Sequence, residues 1–349
     1  MDGFLNLHKP FGWTSHDCVA QVRRLFHTKK VGHAGTLDPA ATGVLPIAIG
    51  RATRLLQFLP TGKRYQAIVR FGVTTATDDL EGDRLTQKAC PDLTLDQIQA
   101  VLPQFQGTIQ QVPPAFSAIQ VDGKRLYDLA RAGQVVDVPM RQVEVSQIEV
   151  LDWRSGEFPE LDLDITCGGG TYIRAIARDL GYVLGTGATL AGLIRTYSSG
   201  FDISESWTIE DLEAALETDE FSLYGVEQPL MGLPSLNLNA EQTWRWCNGQ
   251  RIGPPIEDWV LNQHYRVQYL NASTQTLEFL GMGEVQVRGG GGGGGDAPFL
   301  KAKMGYANCP CDRPTDQHPN HPAVQHPNQS TDQHLDQPTD QGVDQPIGT

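Results

Sequence analysis

The chain has 349 residues, which predicts roughly two domains at about 150 residues each. Its longest apolar run, residues 44–49, is far shorter than the roughly 18 residues that a membrane span needs, and its first fifteen residues lack the apolar core of a secretory signal. We therefore expect a cytoplasmic protein that does not bind membranes. The net charge of −14 argues against a polyanionic partner, because nucleic-acid binding depends on Lys and Arg.

The negative average hides a basic segment at the start of the chain. Residues 1–66 contain nine Lys and Arg side chains against three Asp, whereas residues 202–220 contain eight acidic side chains and no basic one. Such segregation is typical of a protein with one surface that faces phosphates. Chance clustering on a solvated surface is the alternative interpretation.

Capping residues and hydrophobic periodicity predict the elements in chain order. A first helix is expected behind Ser15 as N-cap, with Arg23, Arg24 and Lys29 at its end, where positive charge is favoured. Strands are predicted at 64–73, 141–151 and 160–166, and further helices at 93–105 and 208–216 behind Thr94 and Thr208. These elements do not follow a regular βαβ order, so we predict an α+β fold.

A better-marked helix follows a run of glycines. Apolar residues from Ile173 to Leu184 repeat with the helical period, after Gly168–Gly170 and before Gly185. Tyr172 and Arg174 follow the predicted strand and the glycines, so we expect them at the start of this helix.

Composition divides the chain into three parts. The Pro-rich stretch 228–234 indicates a joint between a domain over residues 1–230 and a small β-rich domain over 231–304. Gly289–Gly295 is interpreted as an expanded surface loop of the second domain. Residues 305–349 form a low-complexity tail with almost no large apolar side chains, which we expect to be disordered.

The loop over residues 31–43 contains one carboxylate, Asp38, among glycines and a proline. Taken alone, an Asp before Pro is typical of a turn or a helix cap. No Lys-Ser or Lys-Thr follows Gly43, as a phosphate-binding loop requires, and Gly168–Gly170 lacks the dinucleotide spacing. Cys309, Cys311 and the histidines of the tail lack the paired spacing of a zinc site, so no metal is expected.

Several segments are informative when they are considered together, in their order along the chain. They are NLHKP at 6–10 with GWTS at 12–15, GHAGTLDPAATGVL at 32–45, KRY at 63–65, VPPAFSA at 112–118, DGKR at 122–125 and GTYIR at 170–174. In this order they resemble the TruB family of bacterial tRNA pseudouridine synthases. The resemblance covers about residues 3–230 and, more weakly, 233–304, which resembles a PUA module.

The resemblance implies a pseudouridine synthase fold with a mixed, mostly antiparallel central sheet and a PUA-like C-terminal domain. It identifies Asp38 as the catalytic residue that acts while uracil is detached from ribose and rejoined through C5. Arg174 would pair with Asp38 and keep it charged. Tyr65 would stack on the uracil and help to move the proton from C5. Tyr172 and Leu193 would wall the pocket.

The implied substrate is the uridine at position 55 in the T loop of tRNA, which must be extruded from its stack. His33 would fill the vacancy that it leaves. Lys9 and the other basic side chains of residues 1–66 would contact phosphates, and residues 113–141 would form a mobile thumb over the RNA. The resemblance implies a monomer that needs no metal, organic cofactor or obligate protein partner.

The chain departs from the family pattern in three places. Gly168-Gly169 replaces a more polar pair, the glycine run interrupts the small domain, and the tail matches no family pattern. Two alternatives stay open at this point: an RNA-binding or tRNA-folding chaperone with incidental catalysis, and the same chemistry on a different RNA uridine, for example under a guide RNA.

Overall fold

The computed structural model describes residues 1–117, 120–121, 124–125, 138–218, 220–253, 260–271, 274–287, 298–306 and 310. Most of the predicted thumb over residues 113–141, the glycine run Gly289–Gly295 and nearly all of the predicted tail over 305–349 lie outside these residues. In the described part of the chain, no helix has both the length and the apolar character needed to cross a membrane.

A mixed, mostly antiparallel sheet forms the centre of the fold. Its strands are β1 (Gly3–Lys9), β2 (Val31–His33), β3 (Thr42–Ile49), β4 (Lys63–Phe71), β7 (Gly107–Gln111), β10 (Arg141–Arg154), β11 (Glu160–Cys167), β12 (Ala188–Ser198) and β13 (Phe201–Asp202). They are ordered β1-β3-β12-β4-β11-β10-β7, with β2 beside β3 and β13 beside β12. Only the β12–β3 pair is parallel among these described strands. The α+β class and the sheet expected from the resemblance are confirmed.

The other elements formed by the described residues are two hairpins, five α-helices, four 3-10 helices and a second sheet. The hairpins pair β5 (Val73–Thr75) with β6 (Arg84–Gln87) and β8 (Gln120–Val121) with β9 (Lys124–Arg125). The helices are α1 (Ser15–Leu25), α2 (Leu95–Val101), α3 (Ile173–Val183), α4 (Ile209–Glu217) and α5 (Ala240–Cys247). The second sheet contains β14 (Ser235–Leu238), β15 (His264–Asn271), β16 (Thr276–Val287) and β17 (Pro298–Gly305), in that order.

Three apolar clusters hold the central sheet and one holds the second sheet. The cluster below β4 and β11 includes Ile173 and Leu180 of α3, so the helix that carries Arg174 is fixed to the sheet. Another cluster joins Phe4 of β1 to Met282 and Met304 of the second sheet. Burial of these side chains anchors the small sheet to the large one. The second sheet also has its own cluster around Trp246 and Leu300.

The predicted start and end of the first helix are each slightly wrong. Thr14, not Ser15, is the N-cap, because the Thr14 hydroxyl accepts from the Asp17 N–H while the Asp17 carboxylate accepts from the Thr14 N–H. The helix ends at Leu25, so Arg23 and Arg24 lie in its last turn and Lys29 lies beyond it.

Two other predicted elements are interrupted where the backbone changes direction. The helix expected at 93–105 ends at Val101, and residues 102–105, which include Pro103, form a 3-10 turn. The strand expected at 64–73 ends at Phe71, because Gly72 has a positive φ of 80°.

Candidate active site

The Asp38 loop connects β2 to β3 and is fixed from two sides. The Ser15 hydroxyl accepts from the Leu37 N–H at 2.9 Å and donates to the Leu37 carbonyl oxygen at 3.2 Å. The Lys9 ammonium donates to the Pro39 carbonyl oxygen at 3.1 Å. Because the residues before and after Asp38 are both bound, its carboxylate has a defined position.

Arg174 places a guanidinium against this carboxylate. Its Nε lies 3.0 Å from Asp38 Oδ2, and the two side chains are 6% and 42% exposed, respectively. The other guanidinium nitrogens donate to the carbonyl oxygens of Thr77 at 2.8 Å and Phe116 at 2.9 Å. Arg174 is therefore held in place by backbone groups as well as by Asp38, and Phe116 lies in the predicted thumb segment.

A second carboxylate, Asp79, completes the charged cluster. Its Oδ2 lies 3.6 Å from Arg174 Nε. Its Oδ1 accepts from the Thr77 hydroxyl at 2.5 Å and from the Glu81 N–H at 3.1 Å. One guanidinium is thus shared by two carboxylates, of which Asp38 is the more exposed.

The surroundings of Asp38 raise its pKa above the ordinary value. Burial is the largest cause, and repulsion by Asp79 acts in the same direction. The charge and hydrogen bond of Arg174 lower the pKa but do not offset the loss of water. Arg174 therefore favours the ionised carboxylate, whereas burial and Asp79 favour the protonated form.

Asp38, Asp79 and Arg174 line a cavity of about 550 Å³. A large part of the remaining wall comes from β4 and β12, including Ala67 and Leu193. This volume lies within the range of about 300–1,000 Å³ that is usual for small-molecule sites, and it is ample for one nucleobase. The cavity thus combines apolar wall residues with several carboxylates, of which Asp38 and Asp79 flank Arg174.

Tyr65 is not among the lining residues of this cavity in the described chain. It is buried on β4, opposite Arg195 of β12. Burial raises the pKa of its hydroxyl, the Arg195 charge opposes this, and the Asp38 charge adds to it. Stacking on a base would require the Tyr65 ring to become exposed.

The expected phosphate contact of Lys9 is wrong. Lys9 is fully buried, and its ammonium donates to the carbonyl oxygens of Pro10, Trp13 and Pro39 at 3.0, 2.6 and 3.1 Å. Burial lowers its pKa to about 8, which leaves it charged at pH 7. Lys9 joins two loops inside the protein, because buried carbonyl oxygens need a donor there.

The other predicted contact residues lie at different distances from the cavity. Leu193 lines it, whereas His33 and Tyr172 are not among the lining residues in the described chain. His33 ends β2, with its ring 5.8 Å from that of His16, and burial lowers its pKa to about 4. Tyr172 precedes α3, and the Gln111 side chain binds its backbone N–H and carbonyl groups at 2.9 and 3.0 Å.

Two residues near the site were not predicted. Asp79 belongs to an Asp78-Asp79 pair after β5, a pattern that resembles an ordinary acidic turn. Arg195 is fully buried in β12 and donates to the carbonyl oxygens of Val44 at 2.7 Å and Gly35 at 2.9 Å. Its place in the strand ATLAGLIRTYS, where a charge is unusual, is the only sequence feature that points to it.

A metal site would need at least three ligating side chains close together. Within the ranges that the structure describes, no group of three or more His, Cys, Asp or Glu side chains is placed to hold a metal ion.

Comparison with known proteins identifies the class of protein to which this chain belongs. The sequence pattern of the TruB family pseudouridylate synthase N-terminal domain matches residues 23–173, and that of the tRNA pseudouridylate synthase B C-terminal domain matches residues 174–230. The tRNA pseudouridine synthase B of Nostoc sp. is 57% identical over 82% of this chain and 95% of its own length. That of Gloeothece citriformis is 55% identical over 82% of this chain and 91% of its own length.

Solved structures share the fold. A Cbf5-Nop10-Gar1 complex contains a chain with a TM-score of 0.64 and 26% identity, over 88% of this chain and 85% of that one. A chain in an H/ACA RNP bound to a substrate RNA containing 2'-deoxyuridine has a TM-score of 0.65 and 24% identity, over 89% of this chain and 87% of that one. The fold is therefore that of a pseudouridine synthase. Within that class, the chain belongs to the TruB family.

Proposed function

We propose that this chain converts the uridine at position 55 of the tRNA T loop to pseudouridine, with Asp38 as the catalytic residue. Membership of the TruB family supports an isomerase that acts on tRNA. The observation that carries the assignment of Asp38 is its ion pair with Arg174, at 3.0 Å, in the wall of a cavity large enough for a base.

The reaction breaks the bond between ribose C1′ and uracil N1 and forms one between C1′ and C5. The uracil turns while it is detached, the proton leaves C5, and N1 regains one, so no external reagent is consumed. A carboxylate beside the sugar assists this exchange either by attacking carbon or by stabilising a sugar-derived intermediate. Asp38 is suited to both roles, because its side chain is 42% exposed to the cavity and aligned by Arg174.

We assign Tyr65 to the movement of the C5 proton. Its hydroxyl is buried next to Arg195 on β12, and its neighbours Gln66 and Ala67 on β4 line the cavity, which supports this assignment. Leu193 would contact the uracil from the cavity wall. His33 and Tyr172 would contact the RNA outside the cavity, with His33 in the place that the extruded base vacates. A His33 side chain with a pKa of about 4 is neutral at pH 7 and suits a base stack.

We further propose that the enzyme acts in the cytoplasm as a monomer, without an obligate protein partner. We also propose the division into a catalytic domain over residues 1–230, a PUA-like domain over 231–304 and a tail over 305–349. The separate apolar cluster around Trp246 and Leu300 supports the second of these domains.

Replacement of one oxygen tests the role of Asp38. We expect Asp38→Asn to abolish tritium release from tRNA transcripts that carry 5-tritiated uridine, because the amide lacks the negative charge. Binding of tRNA should stay within about tenfold of the wild type, since Asp38 would contact only the target nucleotide. Asp92→Asn is the matched control, because Asp92 is exposed and lies outside the cavity lining. Full turnover by Asp38→Asn would refute the assignment.

A further inference from the structure

Exposed apolar side chains gather at the mouth of the Asp38 cavity. Phe11, Leu80, Leu151 and Ile194 are each classed among the exposed large hydrophobic residues, and all four line this cavity. We call these four residues the apolar rim. Contiguous apolar surface of this kind marks a binding site, because leaving it in water is unfavourable.

Phe11 is the one aromatic member of the apolar rim and the most exposed, at 68%. Its backbone is nevertheless fixed. The Gly12 N–H donates to the Pro39 carbonyl oxygen at 2.9 Å, and the buried Lys9 ammonium donates to the carbonyl oxygens of Pro10 and Trp13. The Phe11 ring is therefore presented to solvent from a rigid turn that is tied to the Asp38 loop.

The reaction proposed for this site indicates which ligand would cover the Phe11 ring. Removal of the target uridine from the RNA stack leaves the adjoining bases without one stacking partner, which opposes extrusion. An aromatic side chain offers a replacement that accepts any base, because every base has a flat π face. Phe11 lines the same cavity as Asp38 and is exposed to solvent.

We propose that Phe11 is a stacking platform for the nucleobase that adjoins the target uridine in the RNA chain. This inference rests on the proposed function and adds a second base-binding site to it. The fixed turn matters because an ordered aromatic ring loses little conformational entropy when it is covered. Leu80, Leu151 and Ile194 form the remaining apolar border of the same opening.

The test uses the full chain and T-arm RNA hairpins. We expect Phe11→Ala to lower kcat/KM for the intact hairpin by roughly 5- to 150-fold, the range for loss of one base–aromatic stack. Phe11→Trp should stay within about twofold of the wild type, and Phe11→Leu should behave like Phe11→Ala, because stacking requires an aromatic face. Tyr182→Ala is the control, since Tyr182 is 83% exposed but outside the cavity lining.

Two further hairpins separate stacking on RNA from packing within the protein. One carries an abasic residue immediately 5′ of the target uridine, and the other carries it immediately 3′. On one of them, the wild type and Phe11→Ala should differ by less than about twofold, because the base that Phe11 contacts is absent. An undiminished Phe11→Ala penalty on both abasic hairpins would overturn the proposal, as would wild-type rates for Phe11→Ala or Phe11→Leu on the intact one.

Wild-type turnover of the intact hairpin distinguishes a failure of the inference from a failure of the proposed function. If the wild type converts the target uridine and the Phe11 variants do not differ from it, the inference fails while the proposed function stands. If the wild type converts no T-loop uridine, the proposed function fails, and the inference falls with it. Thermal melting of each variant verifies the fold, which an exposed side chain should not alter.

Discussion

Replacement of Arg174 by Met removes the cation that two carboxylates share. Arg174 is 6% exposed, and its loss leaves Asp38 and Asp79 without their counter-charge and the carbonyl oxygens of Thr77 and Phe116 without a donor. Loss of one partner from a fully buried ion pair costs about 3–5 kcal/mol. Because Asp38 is 42% exposed and can be solvated, we expect a smaller loss, of about 2–3 kcal/mol, in the free energy of unfolding.

The catalytic effect of Arg174→Met should exceed its effect on stability. Without the guanidinium, burial and Asp79 raise the pKa of Asp38 further, and the carboxylate is no longer aligned. Misplacement of a catalytic group by about 1 Å can cost about 100-fold, so we expect kcat for tritium release to fall by at least about 100-fold. The acid limb of the pH profile of kcat/KM should move to higher pH.

Arg178 provides a matched control one helical turn away. Its guanidinium lies 2.8 Å from Asp78, donates to the Val112 carbonyl oxygen at 2.8 Å and is not among the cavity-lining residues in the described chain. Arg178→Met should therefore destabilise the protein while kcat stays within about threefold. Urea unfolding measures the first effect and tritium release the second. Equal losses of kcat in the two variants, or an unchanged kcat in Arg174→Met, would refute the reasoning.

Two further predictions concern Asp79 and Lys9. Asp79→Asn removes a charge that raises the pKa of Asp38, so the acid limb of kcat/KM should move to lower pH; a shift to higher pH would contradict this origin. Lys9→Met leaves the carbonyl oxygens of Pro10, Trp13 and Pro39 without their donor, so the melting temperature should fall. The slope of log Kd for tRNA against log salt concentration should not change, whereas loss of a phosphate contact would reduce it by about one.

Local sequence signals predicted much of the fold because their causes are local. The helical period from Ile173 and the glycines before it placed Arg174 at a helix start, as observed. Thr94 and Thr208 cap their helices as expected, since a capping hydroxyl needs a donor only three residues away. Thr14, and not Ser15, is the N-cap, because the Ser15 hydroxyl is hydrogen-bonded to Leu37. This contact joins residues that are far apart in sequence.

The parts of the site that were not predicted depend on such distant contacts. The predicted contact of Lys9 with phosphates follows from the family resemblance and the basic segment over residues 1–66, yet three carbonyl oxygens from two loops bind its ammonium. Asp79 reaches Arg174 only because the folded chain brings the segment after β5 to the start of α3, and Arg195 is buried by the pairing of β12 with β3 and β4. Residue type and spacing do not contain this information, whereas the resemblance to a family supplied the pair of Asp38 and Arg174.

A structure of the chain bound to a T-arm RNA hairpin would test the central claim most directly. We predict that the target uridine leaves its stack and enters the 550 Å³ cavity, with its ribose C1′ in contact with the Asp38 carboxylate and Arg174 still paired to Asp38. A target uridine that stays stacked in the hairpin, or that enters a site away from Asp38, would contradict the account.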